Sequence, residues 1–344
     1  MKTPAAILVE QRKPLVIDEV ELPALGYGQV LVEVKVSRIC GSQVGEIDGV
    51  KGPDRFLPHL LGHEGGGVVL ETGPEVSKVK AGDHVVLHWR EGAGIQARPP
   101  KYGWRGASIN AGYVTTFNRY AVVSENRLTS IGADVPFETA ALLADTLTTG
   151  FGIINNDARV RIGEAVVVIG VGGIGLGVVL GARLAGACPV IAVDIHPHKL
   201  AKAKEIGATH TVHSGEADFP EAVKAILGGA LPEVVVDGTG NPTVIEKAIA
   251  LTAPNGGRCV GFGVMVHDRK ISLNTLPLHL GKTLTGSHGG DSQPHLDIPR
   301  YLRMMRHGLF DPSGFVSHRV GLDGVNGAID KMRAGEVIHA MISF

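Results

Sequence analysis

A short apolar run that leads into a glycine-rich turn limits the fold of this chain more than any other stretch. Residues 166–169 are all β-branched, and they are followed by the spacing G-x-G-x-x-G and then by helix-like sequence. The turn contains Gly170, Gly172, Gly173, Ile174 and Gly175. Gly170 permits the tight bend, Gly172 lets the backbone approach a pyrophosphate, and Gly175 lets the helix pack close to the strand. The pattern predicts a dinucleotide-binding unit with a helix N-terminus facing the phosphates.

The second strand of this unit ends in an acidic residue. An apolar run at 189–193 precedes Asp194, which stands where a carboxylate binds the ribose hydroxyls. Its charge would repel a 2′-phosphate, and Ile195 and His196 supply no arginine, so the expected cofactor is NAD rather than NADP. Residues 165–182 carry no charge and have the minimum length of a membrane span. Their glycines favour the nucleotide turn, and no membrane association is expected.

The composition favours small-molecule chemistry. A chain of 344 residues suits two domains, and its 33 Lys and Arg residues nearly balance its 34 Asp and Glu residues. This balance shows neither the basic surface of a nucleic-acid-binding protein nor an acidic disordered tail. The N-terminal residues lack a signal-peptide pattern, which predicts a cytoplasmic protein. Cys40, Cys188 and Cys259 are too few and too scattered for a disulfide framework.

Two kinds of pattern divide the chain. Residues 4–36 have the pattern of half-exposed antiparallel strands, most clearly over 30–36. From about residue 150 to 286, short apolar strands alternate with helices, which is typical of a parallel, doubly wound sheet. Strands are expected at 166–169, 190–193, 234–237 and 258–262, and helices at 199–206, 220–226 and 243–251. The last sixty residues return to mixed structure, so the C-terminal segment is expected to complete the first domain.

Residues 90–113 form a stretch without regular period. It is rich in Gly, Pro and Arg and includes Tyr102 and Trp104. We expect a long loop here, and loops of this length in compact domains are usually functional or mobile.

Four motifs occur in order along the chain: C-G-S at 40–42, G-H-E at 62–64, G-D at 82–83 and the glycine-rich turn at 170–175. With these motifs the sequence resembles the zinc-dependent medium-chain alcohol and polyol dehydrogenases, over essentially its whole length. The resemblance implies an α/β protein with a GroES-like, β-rich catalytic domain at 1–146 and 287–344. It also implies a Rossmann NAD-binding domain at 147–286, with zinc and nicotinamide meeting between the two.

The resemblance also implies a zinc site. The positions matching the family's ligands are Cys40, His63 and, as the third ligand, Asp145. A thiolate, an imidazole and a carboxylate leave one tetrahedral position open, which is the pattern of catalytic zinc. Glu64 is either a fourth ligand or a carboxylate beside the ligands. Without the motifs, Cys40 would be read as an inert buried thiol, His63 as a core histidine, and Asp145 as the cap of the next helix.

Other matching positions carry expected roles. Ser42 matches a hydroxyl that passes the alcohol proton towards solvent, but the histidine usual three residues later is replaced by Gly45. The relay therefore continues through the cofactor ribose, a water or Glu46, or is absent. Trp89 and Phe117 are expected to line the substrate pocket, with ordinary core aromatics as the alternative.

Further positions concern the cofactors. Thr149 matches a residue packing behind the nicotinamide, and Lys199 matches one near the adenosine ribose. His339 stands where relatives often place an arginine against the cofactor phosphates. Residues 90–113 hold no cysteine, so one catalytic zinc and no structural zinc are expected per chain.

Two further expectations concern the substrate and the oligomeric state. Residues 90–113 contribute four cations, and their neighbours include His88 and Asn118: Arg90, Arg98, Lys101 and Arg105. These polar groups favour a hydroxyl-rich substrate over an aliphatic alcohol. The cations favour a phosphate or carboxylate group on it, with a solvated loop surface as the alternative. The resemblance implies a homodimer or homotetramer, with Lys270 to Leu278 as the pairing edge strand.

Two other functions remain open at this point. A zinc-free quinone or enoyl reductase shares the fold but lacks the Cys and G-H-E motifs. A non-catalytic nucleotide-binding protein would keep the fold without turnover.

Overall fold

The computed structural model describes all residues, 1–344, and shows two compact units. Unit 1 comprises Met1–Asp145 and Gln293–Phe344, and unit 2 comprises Thr146–Ser292. The chain returns to unit 1 six residues later than the sequence suggested. The reason is that Gly290 packs against the helix at Thr146–Gly152 so closely that a Cβ would lie 2.5 Å from the Thr149 carbonyl oxygen.

Strands dominate the first part of unit 1. Its strands are Lys2–Leu8 (β1), Val16–Glu21 (β2), Gln29–Ile39 (β3), His59–Leu60 (β4), Glu64–Thr72 (β5), His84–His88 (β6), Lys101–Trp104 (β7), Ala107–Asn110 (β8), Tyr120–Ser124 (β9) and Leu128–Ile131 (β10). Its helices are Gly41–Ile47 (α1) and Phe137–Ala144 (α2). Strands β1, β2, β7, β8 and β4 close into a barrel.

Unit 2 alternates helices and strands. In chain order it contains Thr146–Gly152 (α3), Val166–Ile169 (β11), Gly173–Leu184 (α4), Val190–Asp194 (β12), Pro197–Ile206 (α5), His210–His213 (β13), Phe219–Ile226 (α6), Val234–Asp237 (β14), Pro242–Leu251 (α7), Arg258–Gly261 (β15), Leu276–His279 (α8) and Thr283–Gly286 (β16). The six strands are all parallel, in the order β13-β12-β11-β14-β15-β16. The doubly wound sheet predicted from the sequence is confirmed.

The C-terminal segment returns to unit 1. It forms Pro294–Arg306 (α9), His318–Val320 (β17), Val325–Arg333 (α10) and Ala340–Ser343 (β18). Strand β18 pairs antiparallel with β3, so the last residues of the chain join the main sheet of unit 1. The order of that sheet is β10-β6-β5-β3-β18-β17, and β9 also pairs with β3.

Strand β3 is central to unit 1 because its apolar alternation is buried on one face. Val30, Val32 and Val34 are fully buried and pack in one cluster with residues of the neighbouring strands. The strand ends at Ile39, so Cys40 emerges at the edge of the packed core. Burial of these side chains stabilises the unit by about 1.5–3 kcal/mol for each fully buried residue.

Residues 90–113 correct one expectation. Ten of them, 101–110, form the hairpin of β7 and β8 rather than a loop. Tyr102 is fully buried, and its hydroxyl accepts a hydrogen bond from the Val122 backbone at 2.7 Å. The sequence concealed this hairpin because glycines interrupt the short alternating pattern of its two strands.

One further expectation is changed. The edge strands of the sheet in unit 2 are β13 and β16. The predicted pairing strand at Lys270 to Leu278 is wrong, since Pro277 lies in the short helix α8. The uncharged stretch 165–182 divides into β11 and most of α4. No helix has the length and apolar character needed to cross a membrane.

A buried histidine makes the stability of unit 1 depend on pH. The Nδ1 of His88 donates to the Arg90 carbonyl at 2.8 Å, and its Nε2 accepts from the Thr129 hydroxyl at 2.9 Å. Burial, with the charge of Arg127 acting in the same direction, lowers the pKa of His88 to about 4. The unfolded chain therefore binds a proton that the folded chain excludes, and stability is lost as the pH falls from about 6.5 towards 4.

We predict that His88→Asn flattens this dependence. Between pH 7.5 and 5.0 the wild-type protein should lose about 2 kcal/mol more unfolding free energy than the variant. Urea unfolding followed by tryptophan fluorescence measures this, because Trp89 and Trp104, the only tryptophans, both lie in unit 1. Equal losses in the two proteins would contradict the prediction.

Candidate functional site

Four potential metal ligands meet where elements of unit 1 begin or end. Cys40 precedes α1, His63 and Glu64 stand at the start of β5, and Asp145 follows α2. Their ligand atoms all lie within 4.8 Å of one another. The structure therefore brings together the four residues that the sequence proposed for the metal.

The geometry and chemistry of this group suit a zinc ion. The Oδ2 of Asp145 lies 3.8 Å from the Cys40 Sγ and 3.7 Å from the His63 Nε2. Burial alone would lower the pKa of His63, but hydrogen bonds to Asp145 and Cys40 outweigh it and raise that pKa well above its usual value. The group thus attracts a cation, and its thiol, imidazole and carboxylate donors are the ligand types of zinc.

Two neighbouring side chains orient these groups. The Nε1 of Trp89 donates to the Asp145 Oδ1 at 2.9 Å, which leaves Oδ2 facing the other ligands. The Oε1 of Gln43 accepts from the Cys40 backbone at 2.8 Å, and its Nε2 lies 2.7 Å from the His63 Nδ1. Such outer contacts fix ligand orientation and tune a metal site. Sequence reasoning missed Gln43, although its position between Cys40 and His63 was visible.

A buried arginine, also missed from the sequence, contacts the same group. The Nη1 of Arg38 donates to the Glu64 Oε1, and its Nε donates to the His339 Nδ1 at 2.8 Å. Burial raises the pKa of Glu64, the charge of Asp145 acts in the same direction, and Arg38 opposes both. Burial and the charge of Arg38 hold the pKa of His339 well below its usual value. His339 is fully buried and bonded within unit 1.

Ser42 offers a hydroxyl without a partner. Its Oγ is buried and makes no hydrogen bond in the protein. Ser42 and Glu46 are four residues apart on α1, a spacing that places side chains on one helix face. The Glu46 carboxylate lies 3.6 Å from the His59 Nε2, which is also 2.8 Å from Asp54.

The two predicted pocket aromatics occupy different surroundings. Trp89 is half-buried, with its ring edge-on to His63 at 6.5 Å between centroids. Phe117 is fully buried in a core cluster with Leu8 and Ile39. Phe117 therefore corresponds to the alternative reading of a core aromatic, and the pocket role does not fit its burial.

The glycine-rich turn of unit 2 has the expected local form. Gly170 has a φ of +83°, and a Cβ on Gly175 would lie 2.2 Å from the Gly170 carbonyl oxygen. A Cβ on Gly172 would meet nothing within 4 Å. Helix α4 begins at Gly173, next to Ile174, so its free N–H groups point out of the turn.

The acidic residue after β12 supports the same turn. The Asp194 Oδ2 accepts from the Val171 backbone and its Oδ1 accepts from the His196 backbone, each at 2.9 Å. Lys199 lies half-buried in the first turn of α5, and Thr149 is buried on α3. All of the residues proposed from the sequence for the nucleotide thus lie in unit 2.

A GroES-like unit interrupted by a Rossmann unit defines the class of medium-chain oxidoreductases. A family model for the alcohol dehydrogenase GroES-like domain matches residues 26–133, and one for zinc-binding dehydrogenases matches residues 173–306. The chain is 31% identical to the class-3 alcohol dehydrogenase of Cereibacter sphaeroides over 379 aligned positions, covering both chains completely. It is 30% identical to the S-(hydroxymethyl)glutathione dehydrogenase of Paracoccus denitrificans, again with complete coverage of both.

Solved structures show the same relationship. The benzyl alcohol dehydrogenase of Acinetobacter calcoaceticus superposes with a TM-score of 0.90 at 25% identity, covering 100% of this chain and 99% of its own. An alcohol dehydrogenase zinc-binding domain protein from Burkholderia ambifaria gives a TM-score of 0.90 at 28% identity, with the same coverage. The chain belongs to the zinc-dependent medium-chain alcohol dehydrogenase family, whose cofactors are zinc and NAD.

Two glycines of the turn should separate folding from nucleotide binding. We predict that Gly175→Ala lowers the stability of unit 2 by about 1–3 kcal/mol, since the new methyl group would overlap the Gly170 carbonyl. Gly172→Ala should leave the melting temperature unchanged but weaken NADH binding about tenfold or more, because its methyl group projects where the pyrophosphate approaches. Thermal unfolding and NADH fluorescence titration measure the two effects, and unchanged NADH affinity in Gly172→Ala would contradict the assignment.

Proposed function

We propose that this protein transfers a hydride between a secondary alcohol or polyol and NAD, with one zinc ion at the reacting centre. The observation that carries the proposal is the gathering of Cys40, His63, Glu64 and Asp145 within 4.8 Å in unit 1. Family membership supplies the reaction class. The alternatives, a zinc-free reductase or a non-catalytic nucleotide-binding protein, have no use for a buried set of this composition.

Cys40, His63 and Asp145 are the proposed zinc ligands. Zinc, when bound, supplies a Lewis acid that lowers the pKa of the substrate hydroxyl. Trp89 and Gln43 hold Asp145 and His63 in the orientations described above. Ser42 is proposed to relay the hydroxyl proton: its unpartnered Oγ would accept that proton while its own hydroxyl proton passes onward.

The proton route beyond Ser42 is proposed to use α1. Gly45 offers no side chain, whereas Glu46 shares a helix face with Ser42 and lies beside His59. Glu46 is half-buried and its carboxylate reaches solvent, so a proton passed to it leaves the protein. A water or the cofactor ribose would bridge the interval between Ser42 and Glu46.

The nucleotide is proposed to bind on unit 2 through the glycine-rich turn at 170–175, with Asp194 at the ribose. Thr149 and Lys199 are proposed to contact the nicotinamide and adenosine ends. Asp194 already accepts two backbone hydrogen bonds, and a carboxylate at this position opposes a 2′-phosphate. NAD is therefore proposed as the cofactor over NADP.

Asp194→Asn tests this preference with little change in shape. We predict that the ratio of kcat/KM for NAD to that for NADP falls about tenfold or more, because the charge that repels the 2′-phosphate is removed. The amide oxygen retains one backbone hydrogen bond, so the fold should persist, and a melting curve checks this. A wild-type protein that uses NADP as well as NAD would overturn the assignment.

Fewer polar groups are available to the proposed substrate pocket than the sequence suggested. Arg105 binds Asp18 and stacks on Trp104, and Lys101 binds Asn110, so these cations belong to the hairpin surface. Arg90 differs, since its guanidinium lies 5.7 Å from the ring of Trp89, the indole beside His63.

A substrate with a second hydroxyl or an anionic group beside the reacting alcohol therefore remains the proposal. Sugars, sugar phosphates and cyclitols would be compared with hexanol and benzyl alcohol by NADH absorbance. Highest kcat/KM for the aliphatic or aromatic alcohols would refute it.

The third ligand offers a sharp test of the metal centre. We predict that Asp145→Ala loses zinc and turnover together, whereas Asp145→Cys retains zinc with an altered rate, since a thiolate replaces the carboxylate charge. Asp134→Ala is the control, because Asp134 forms only an exposed pair with Arg306. Metal analysis of the purified proteins gives the stoichiometry. Full zinc and normal activity in Asp145→Ala would remove Asp145 from the site.

We also propose that two copies pair through unit 2. Four large apolar side chains between β15 and β16 are more than half exposed: Val264, Val266, Leu276 and Leu280. Exposed apolar groups concentrated in one segment are typical of an interface. A monomeric mass by light scattering at micromolar concentration would exclude the pairing.

A further inference from the structure

Arg38 stands at the centre of a buried chain of hydrogen bonds beside the proposed zinc ligands. Its side chain is 2% exposed, and it donates to Glu64 on one side and His339 on the other. His339 is held in turn by packing against Phe315 at 5.4 Å between ring centroids. Pairing of β3 with β5 and β18 brings these residues together.

Charge explains why a cation is needed here. Cys40, Glu64 and Asp145 supply three negative charges when ionised, and a divalent ion offsets two of them. Buried charges are costly unless they are paired. Arg38 contacts the group directly and offsets the third charge, so the metal and Arg38 together leave the buried group neutral.

The hydrogen bond from Arg38 also fixes the orientation of the Glu64 carboxylate. The Glu64 oxygen bound by Arg38 is Oε1, the same oxygen that lies 3.8 Å from the His63 Nε2. A carboxylate oxygen that accepts a charge-assisted hydrogen bond from guanidinium is a poorer metal ligand. Glu64 thus lies within reach of a metal ion between the ligands, but the oxygen nearest to His63 is already engaged by Arg38.

We infer that Arg38 is a positioning residue that holds Glu64 off the zinc, and that His339 holds Arg38 in place. The fourth position of the metal is thereby left to the substrate hydroxyl. The inference rests on the proposed zinc centre and adds the residues that keep it open. Without Arg38, Glu64 would occupy that position and compete with the substrate.

If the ion pair of Arg38 and Glu64 only joined β3 to β5, its loss would not slow the release of zinc. The test therefore measures zinc release as well as activity. Arg38→Met should release zinc to a colorimetric chelator about tenfold more slowly than wild type, because Glu64 becomes a ligand and a nearby positive charge is lost. The cobalt-substituted variant should show the altered visible absorption of a changed ligand set. For the alcohol, KM should rise more than kcat falls.

Three companion variants isolate the mechanism. Arg38→Lys retains the charge and should restore zinc release towards wild type. Glu64→Gln should release zinc only slightly faster than wild type, since it leaves the charge of Arg38 unpaired. In that background Arg38→Met should slow zinc release less than it does alone, because only the effect of charge remains. Arg105→Met is the control, since it removes an exposed arginine–carboxylate pair on the hairpin.

Zinc-release measurements on these variants can contradict the role given to Arg38. Unchanged zinc release in a folded Arg38→Met overturns it. Zinc loss from Glu64→Gln as fast as from Asp145→Ala overturns it as well, because Glu64 would then be a resident ligand, and this arm holds even where Arg38→Met does not fold. Equal slowing of zinc release by Arg38→Met with and without Glu64 also overturns it, because charge alone would then explain the effect. A wild-type protein that binds no zinc overturns the proposed centre itself and is thereby distinguished from failure of the role given to Arg38.

Discussion

Repulsion between buried acidic groups is the constraint around which unit 1 is organised. Cys40, Glu64 and Asp145 are each at least nine-tenths buried and lie within reach of one ion. Such a group is unfavourable unless cations and hydrogen bonds compensate it. Arg38 supplies part of the compensation from within the protein, and the elements that carry these residues begin or end at this point. The proposed zinc ion would supply the rest.

The sequence correctly predicted the elements whose buried residues form a recognisable apolar pattern. The central strands of unit 2 are continuous apolar runs, and their positions at 166–169 and 234–237 agree with the sequence within a residue. The outer strands β13 and β16 were not predicted, since His210, Thr211 and Thr283 are exposed and polar. An edge strand needs apolar residues on fewer sides, so its sequence resembles a loop.

The residues of the site also differ in whether the sequence could predict them. Cys40 and His63 stand in short motifs, which made them visible along the chain. Arg38 carries no local signal, because a cation in an alternating strand is normally read as solvent-facing. Its partners Glu64 and His339 are 26 and 301 positions away, and only strand pairing joins them. Contacts of this kind follow from topology and are not encoded in spacing.

The hairpin of β7 and β8 is held together by contacts that are distinct from the residues of the proposed zinc site. It closes the barrel through backbone hydrogen bonds and the buried ring of Tyr102, and the segment 90–113 contains no thiol. The contacts that hold this hairpin therefore involve neither a cysteine nor a metal ion. Oxidation of Cys40 or removal of the proposed zinc would take away the reacting centre without breaking any of them.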